Sequence, residues 1–188
     1  IDIGTERFYK KTSSLLIKNF KKPAAFLDRD GVINYDYGYV HSLKNFRFKN
    51  GVLKGLKYLT KKNYYIFIVT NQAGIGKKIY TLDKFVKLHK ELKDILIKEK
   101  VFINDVKYSP YHIKAKIKKF KKNSGFRKPG NLMIKEILKN WDVLMSKSFM
   151  IGDKIKDKMC AKKSNLYFEF AKNNFYYQAK LITKKVNN

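Results

Sequence analysis

The sequence predicts an α/β fold, a doubly wound and mostly parallel sheet with helices on both faces. Short apolar runs rich in β-branched and aromatic residues alternate along the chain with segments whose apolar residues recur at helical spacing. The apolar runs are hydrophobic almost throughout, which is typical of strands covered on both sides. Strands that alternate with helices favour parallel pairing.

The predicted elements follow one another from residue 24 to residue 171. The first strand covers 24–28 (AAFLD), and the run YYIFIVT (64–70) predicts a second, buried strand. Between them, 51–62 has the apolar spacing of a helix, and the longest helical pattern covers 81–100. The remaining predictions are a strand over 106–110, a basic loop over 112–126, a helix over 131–141, and strands over 148–153 and 165–171.

Composition bounds the class of protein. A chain of 188 residues with 44% hydrophobic and 31% charged residues predicts one globular domain, and we expect a monomer. No apolar run approaches the ~20 residues needed to cross a bilayer, so no membrane partner is expected. The single cysteine, Cys160, allows no internal disulfide. We therefore predict a cytoplasmic protein.

The net charge of +28 raises the question of a nucleic-acid partner, because clustered cations release counterions from phosphate backbones. However, only four of the 43 basic residues are arginine, the residue that bidentate phosphate contacts favour. The lysines are spread along the whole chain rather than clustered. We interpret them as solvated surface and expect no nucleic-acid partner.

Three polar segments follow predicted strands: FLDRDG, TNQAGIG (70–76) and GDKIKD (152–157). Each taken alone could be a turn or a helix cap. Together they lie at the carboxyl ends of strands, where parallel sheets bind ligands. Asp28, Asp30, Asp153 and Asp157 would repel one another at such an edge unless a hard cation joined them. The sequence therefore predicts a Mg²⁺ site.

A phosphate group would bind well beside that metal if a fixed cation also faced it. The segment RKPG (127–130) supplies two cations, Arg127 and Lys128, from a turn that contains a proline. Lys128 would be unremarkable among so many lysines, but it stands beside one of the four arginines.

These segments, in this order, resemble the motifs of the haloacid dehalogenase-like phosphatases: DRDG, the threonine of VTNQ, the lysine of RKP, and IGDKIKD. Within that superfamily, FLDRDGVIN, the GYVH segment and VTNQAGIGKK look like the group that contains histidinol-phosphatases and heptose-bisphosphate phosphatases, and GYVH looks closer to the heptose enzymes. The resemblance covers about residues 24–170.

The resemblance implies a role for each matching residue. Asp28 would be the nucleophile that forms an aspartyl-phosphate, and Asp30 would act as general acid and then base. Thr70 would hold the phosphoryl oxygens while Lys128 neutralises their charge. Mg²⁺ would be held by Asp28, the backbone carbonyl of Asp30, and Asp153. The residues expected to bind the substrate are Arg29, Asn71, Gln72, Arg127 and Lys128.

The chain departs from the group where members carry a zinc loop of Cys-x-His and Cys-x-Cys. The corresponding stretches are SPYH (109–112) and SGF (124–126), which lack every cysteine. Ser109, Ser124 and Phe126 cannot replace thiolates, and His112 alone cannot hold structural zinc. We predict that zinc is absent.

The first residues carry a second, shorter resemblance. IDIGTERFYKK looks like the closing segment of sugar-phosphate nucleotidyltransferases, with Glu6 in place of the usual proline. This implies an N-terminal extension over 1–22, the remnant of a preceding transferase domain, followed by a phosphatase domain over 23–188. The phosphatase would then be fused to, or partnered with, a sugar nucleotidyltransferase.

The substrate that the resemblance implies is a small sugar phosphate, D-glycero-D-manno-heptose 1,7-bisphosphate, in nucleotide-activated heptose biosynthesis. Two alternatives share the motifs: histidinol phosphate, and a nucleic-acid 3′-phosphate. A further alternative is a phosphatase-like domain that binds a sugar phosphate without turnover. The presence of all five motif residues disfavours it: Asp28, Asp30, Thr70, Lys128 and Asp153.

Overall fold

The computed structural model describes residues 21–187 and contains a five-stranded sheet in which every pair of neighbouring strands is parallel. The order across the sheet is β3-β2-β1-β4-β5. The strands are β1 (Ala24–Leu27), β2 (Tyr65–Asn71), β3 (Asp105–Ser109), β4 (Phe149–Gly152) and β5 (Tyr167–Phe170). The predicted α/β class with a parallel sheet is confirmed.

Helices cover both faces of this sheet, as predicted. The helices are α1 (Val52–Lys61), α2 (Ala73–Gly76), α3 (Leu82–Lys98), α4 (Leu132–Asn140), α5 (Ile155–Lys163) and α6 (Phe175–Lys185). Apolar residues of α1, α3 and α6 form one core against the sheet, and those of α4 and α5 form the core on the opposite face.

The first strand shows why its residues are hydrophobic without alternation. Ala25 and Leu27 belong to one core, whereas Ala24 and Phe26 belong to the other. All four are 0% exposed, because successive side chains of a strand point to opposite faces and both faces are covered. This burial fixes the end of β1 at the centre of the sheet.

Three helices, α2, α5 and α6, lie outside the three segments whose apolar spacing predicts a helix. Helix α6 has buried Phe175, Ala179 and Ile182 at helical spacing, and the Asn174 side chain caps it by accepting from the backbone N–H of Tyr176. Periodicity and cap are both readable in the sequence, so this helix could have been predicted. Helix α2 has four residues, which is too short for any periodic signal.

The predicted extension over 1–22 lies outside the described residues except for its last two. The backbone of Lys22 hydrogen-bonds to the segment that follows α4. Its N–H donates to the Asp142 carbonyl at 3.2 Å, and its carbonyl accepts from the Leu144 N–H at 2.9 Å. Lys22 is therefore part of the fold. No helix within residues 21–187 is long and apolar enough to cross a membrane.

Candidate active site

Polar residues from three adjacent strands meet at the carboxyl edge of the sheet. Asp28 directly follows β1, Thr70 and Asn71 end β2, and Asp153 directly follows β4. Strands β2, β1 and β4 are neighbours, and their carboxyl ends point the same way. The structure thus brings the first, second and fourth sequence motifs to one place, where parallel sheets bind ligands.

The turn after β1 is tightly hydrogen-bonded. The backbone N–H groups of Ile33 and Asn34 donate to the Arg29 carbonyl at 2.8 and 3.1 Å. Gly31 has a φ of +86°, and a Cβ added to it would lie 2.4 Å from Asp153 Oδ2. Glycine is needed here because it permits both the left-handed backbone and the close approach to Asp153.

Lys128 connects two aspartates in what we call the buried charge cluster: Asp28, Lys128 and Asp157. Lys128 Nζ lies 2.9 Å from Asp28 Oδ1 and 2.7 Å from Asp157 Oδ1. It also donates to the Val69 carbonyl at 2.8 Å. The side chains of Lys128 and Asp157 are 0% exposed and that of Asp28 is 9% exposed, so water screens these charges little.

Burial and mutual charge set the pKa values within this cluster. Burial raises the pKa of Asp28 to about 6; the charge of Lys128 opposes this, and that of Asp157 adds to it. Burial alone would lower the pKa of Lys128, but the two carboxylates outweigh burial and raise it. Burial also raises the pKa of Asp153. Lys128 is therefore held as a cation, and Asp28 beside it is poised to bind a proton or a metal ion.

Asn71 positions the segment that carries Lys128. Its side-chain amide donates to the Lys128 carbonyl at 3.1 Å and accepts from the Lys128 N–H at 3.0 Å. Sequence reasoning assigns Asn71 to substrate binding. The structure places it at the wall of the site cavity with both ends of the amide paired to this backbone. Its side chain thus holds Lys128 in register with β2.

Three side chains donate hydrogen bonds to the Asp30 carboxylate: Arg29, Asn34 and Gln72. Arg29 donates to it from Nε at 3.1 Å and from Nη2 at 2.7 Å, and Asn34 Nδ2 donates at 3.0 Å. Gln72 Nε2 donates to its second oxygen at 3.0 Å. Asp30 nevertheless remains 18% exposed and lines the site cavity, which is the access that the predicted general acid would need.

Arg29 differs from its predicted role. Sequence reasoning assigns it to substrate binding, but its side chain is 0% exposed and does not line the site cavity. Its Nη2 also donates to the Val40 carbonyl at 2.6 Å. The prediction is corrected on this point: the guanidinium is buried behind Asp30, where it orients and stabilises that carboxylate.

Gln72 links the candidate acid to the candidate phosphate-binding threonine. Its Nε2 donates to Asp30 and, at 2.9 Å, to Thr70 Oγ1, while the Tyr80 hydroxyl donates to its Oε1. A carboxylate only accepts hydrogen bonds, so the donor end of the Gln72 amide must face Asp30, and its oxygen is left to accept from the Tyr80 hydroxyl. Sequence reasoning assigns Gln72 to substrate binding; at 2% exposed, it is foremost a positioning residue.

Three carboxylates could hold a metal ion. Oxygen atoms of Asp28, Asp153 and Asp157 all lie within 4.8 Å of one another. Asp153 Oδ1 is buried and has no hydrogen-bond partner among residues 21–187, which suits a cation ligand. An all-oxygen set of this kind fits Mg²⁺. The side chain in this group that sequence reasoning did not assign is Asp157, whereas the side chain of predicted Asp30 belongs to the Arg29 network.

A cavity of about 250 Å³ opens above these groups. Its outer part carries three half-buried cations that we call the cationic rim: Lys77, Arg127 and Lys156. None of the three contacts a carboxylate within the described range; Lys77 donates to the Tyr39 hydroxyl and Arg127 to the Tyr111 carbonyl. Burial, and then the charges of Arg127 and Lys154, lower the pKa of Lys156. The rim is therefore positive and suits an anion.

A salt bridge closes one side of this cavity. Lys154 Nζ lies 3.0 Å from Asp36 Oδ2 and 3.5 Å from Asp153 Oδ2. It joins the segment after β1 to the segment after β4, next to the potential metal ligands. Sequence reasoning missed this pair, because nothing in the spacing of residues 36 and 154 indicates that they meet.

The loop that corresponds to the zinc loop is held by backbone hydrogen bonds. Lys116 and Ile117 donate their N–H groups to the Gly76 carbonyl at 2.8 and 3.0 Å, and the rings of Tyr111 and Phe120 pack edge to face. Within the described part of the chain, the three aspartates are the only group of three or more potential ligands. His112 faces the site cavity instead, and burial followed by the charge of Arg127 lowers its pKa.

Sequence reasoning missed two rim residues, Lys77 and Lys156, and it placed Asp157 at the predicted Mg²⁺ site without assigning it as a ligand. Asp157 had a readable signal, since GDKIKD places a second aspartate one helical turn after Asp153. Lys77 and Lys156 had none, because lysine is abundant along the whole chain.

The fold and the site define a haloacid dehalogenase-like phosphatase. Known structures share the architecture. A HAD-like phosphatase from Mesorhizobium loti superposes with a TM-score of 0.79 at 22% identity, with 88% of each chain covered. A D,D-heptose 1,7-bisphosphate phosphatase from B. bronchiseptica, complexed with magnesium and phosphate, superposes with a TM-score of 0.72 at 20% identity, covering 85% of this chain and 86% of that one.

Residues 25–182 match the family model described as Polynucleotide kinase 3 phosphatase, and the chain belongs to this phosphatase family. It is also 37% identical, over 146 residues, to the D-glycero-β-D-manno-heptose-1,7-bisphosphate 7-phosphatase of Rhodopseudomonas palustris, covering 78% of this chain and 81% of the relative. The Escherichia coli enzyme of the same name is 35% identical over 144 residues, covering 77% and 75%. The predicted resemblance to the heptose-bisphosphate group of haloacid dehalogenase-like phosphatases is confirmed.

Proposed function

We propose that the chain is a Mg²⁺-dependent phosphatase that removes the 7-phosphate of D-glycero-D-manno-heptose 1,7-bisphosphate in nucleotide-activated heptose biosynthesis. The observation that carries this proposal is the cationic rim beside a buried aspartate–lysine–aspartate cluster. One phosphate would react at Asp28 while the rim holds the second anionic group of the same substrate. The relatives named for this reaction support the choice of sugar.

The reaction would proceed in two displacements. Asp28 attacks phosphorus, the bond from phosphorus to the sugar oxygen breaks, and Asp30 gives its proton to that leaving oxygen. Asp30 then takes a proton from water, which attacks the aspartyl-phosphate and releases inorganic phosphate with Asp28 regenerated. Thr70 donates to a phosphoryl oxygen, and Lys128 balances the charge that develops there.

Asp28, Asp153 and Asp157 are the side chains that fit Mg²⁺ in this site, and the Asp30 backbone carbonyl is a further ligand in our proposal. When bound, Mg²⁺ supplies charge neutralisation of the phosphoryl oxygens. Lys128 keeps Asp28 oriented, and the network of Arg29 and Gln72 holds Asp30 in place.

The charge of the rim discriminates among the candidate substrates. Histidinol phosphate carries an ammonium group, which Lys77, Arg127 and Lys156 would repel. A sugar bisphosphate carries a second phosphate, which the same three cations would attract. We therefore disfavour the histidinol-phosphatase alternative.

A nucleic-acid 3′-phosphate remains the second candidate substrate. The description of the matching family model and the net charge of +28 favour it. A DNA end would also present further phosphates to the rim. It differs from the sugar bisphosphate in its salt dependence, since binding that neutralises several backbone phosphates weakens steeply with added salt.

The test compares heptose 1,7-bisphosphate, histidinol phosphate and a 3′-phosphorylated oligonucleotide, each with Mg²⁺ or EDTA, at low and high salt. Phosphorus NMR would identify which phosphate leaves the sugar. Matched variants are Asp28→Asn, Asp30→Asn and, on the exposed face of α5, Lys158→Gln. We expect Mg²⁺-dependent release of the 7-phosphate that is lost in both aspartate variants and retained in Lys158→Gln.

If the oligonucleotide were cleaved faster than the sugar bisphosphate, and this cleavage were strongly salt-sensitive, the substrate would be a nucleic-acid end. If a folded, Mg²⁺-binding protein cleaved none of the three, the remaining alternative would be a silent sugar-phosphate-binding domain.

We further propose that the enzyme is cytoplasmic, monomeric and independent of zinc, and that residues 1–22 are the remnant of a sugar nucleotidyltransferase. The missing cysteines support zinc independence. The transferase resemblance lies in residues 1–11, outside the described part of the chain. Metal analysis of the purified protein would test its independence of zinc. Sedimentation velocity would test whether it is a monomer.

A further inference from the structure

A second cavity of the described chain lies away from the active site, between α3 and strands β2 and β3. Its volume is about 550 Å³, which is within the usual range for small-molecule sites, and it shares no lining residue with the site cavity. Most of its wall is apolar: Ile33, Phe46, Phe48, Ile68, Leu92 and Ile103.

Two buried polar atoms in the wall lack hydrogen-bond partners among residues 21–187: Arg29 Nη1 and His89 Nε2. Arg29 is 0% exposed, and its other nitrogens already serve Asp30 and the Val40 carbonyl. A buried donor without a partner is costly, so native proteins rarely leave one.

The two atoms lie at the same end of the cavity. The Phe85 ring lies 4.3 Å from the His89 ring and 5.9 Å from Arg29 Cζ, and all three residues line the wall. Burial, and then the charge of Arg29, keep His89 neutral by lowering its pKa to about 3. The inner end thus offers one fixed cationic donor and one neutral imidazole.

The charges around the cavity favour an anion. Exposed Lys90 and Lys93 line its rim. The one carboxylate in the wall, Asp105, is already paired with Lys107 at 3.3 Å. Apart from this pair, the charged side chains that line the cavity are cations.

We propose that this cavity binds a small amphipathic carboxylate, with its carboxylate on Arg29 Nη1 and its apolar body against α3 and the start of β3. A hydrogen bond from a guanidinium to a carboxylate is charge-assisted and therefore strong. Such a ligand would satisfy the unpaired donor and fill the apolar space in one step. Since the same guanidinium orients Asp30, the occupant would also contact the residue behind the catalytic acid.

The test titrates the full chain with 4-phenylbutyrate and with 4-phenylbutanol, which has the same apolar body without the carboxylate. Binding is followed by amide chemical shifts in NMR, a readout independent of phosphatase activity. Ile103→Trp fills the cavity, and Ile97→Trp makes the same change on the exposed face of α3. His89→Leu removes the imidazole as a second, milder variant.

We expect the carboxylate to bind the parent protein and Ile97→Trp equally, with shifts concentrated at residues 85–106. Binding should weaken at least tenfold in Ile103→Trp and for the alcohol, and it should also weaken in His89→Leu. The proposal is overturned if the parent does not bind the carboxylate, if the alcohol binds as tightly, or if shifts are equal in all folded variants.

Discussion

The two halves of the active site differ in how their charges are balanced. In the buried charge cluster, Lys128 lies within 3 Å of two carboxylates, and water is almost excluded. In the cationic rim, Lys77, Arg127 and Lys156 are half-buried and contact no carboxylate within residues 21–187. The first half is complete without a substrate, whereas the second has charges that a substrate would balance.

This difference separates the chemistry from the choice of substrate. A preorganised buried cluster stabilises the same phosphoryl group whatever it is attached to. The rim acts on the rest of the molecule, so it governs which phosphate ester stays long enough to react. Changes to the two halves should therefore have different kinetic signatures.

The largest effect is expected from Lys128→Met, which leaves the buried carboxylates of Asp28 and Asp157 without a cation. We expect a loss of about 3–5 kcal/mol in the free energy of unfolding and a fall of about 10²–10³-fold in kcat. The carboxylates would take up protons in the folded variant, so its stability deficit should be larger at pH 8 than at pH 5. Urea unfolding at both pH values measures this.

The control for that variant is Lys158→Met on the exposed face of α5, which should change neither quantity appreciably. An unaltered stability in Lys128→Met would contradict the view that the cluster is a closed electrostatic unit.

The next effect concerns Mg²⁺ and pH. Burial raises the pKa of Asp28 to about 6, so protons compete with the metal below that pH and not above it. The apparent affinity for Mg²⁺ should fall roughly tenfold between pH 7 and pH 5, because a tenfold excess of protonated carboxyl exists one unit below the pKa. Calorimetric titration measures this, and Asp28→Asn should remove most of the dependence. An affinity for Mg²⁺ that does not change with pH would show that protons and the metal do not compete for Asp28.

A smaller, selective effect is expected at the rim. Arg127→Gln and Lys156→Gln should each raise KM for a sugar bisphosphate about fivefold, equivalent to roughly 1 kcal/mol, with kcat little changed. KM for a sugar monophosphate should stay near that of the parent. Steady-state kinetics on both substrates, with Lys158→Gln as control, distinguish the cases. Equal changes in KM for the bisphosphate and the monophosphate would contradict the idea that the rim selects the substrate.

The smallest effect is expected from Tyr80→Phe, which removes the hydroxyl that fixes the Gln72 amide. The loss of one buried hydrogen bond corresponds to roughly 1 kcal/mol, or about a fivefold effect at most on kcat. The fall should be larger for esters with poor leaving groups, since these need the proton from Asp30. Tyr37→Phe, at an exposed tyrosine, is the control. If the fall in kcat were the same for good and poor leaving groups, Gln72 would have no part in proton transfer by Asp30.

Much of the fold was predictable because apolar periodicity is a local property. The run YYIFIVT gave β2 nearly to the residue, and the motif order placed Asp28, Thr70 and Asp153 at one sheet edge. The partners of these residues were not predictable. That Arg29 turns away from the cavity behind Asp30, or that Lys154 meets Asp36, depends on side-chain packing between distant segments.

Lys128 is the only buried lysine between residues 21 and 187. A water-soluble acylating reagent attacks free amines at the surface, so exhaustive acetylation should spare this amine and make the chain acidic, because four arginines and Lys128 would then face 15 acidic residues. The treated enzyme would keep its reaction centre but lose the electrostatic attraction of its entrance. A single chemical treatment could thus separate, in one sample, the turnover of a bound ester from its capture.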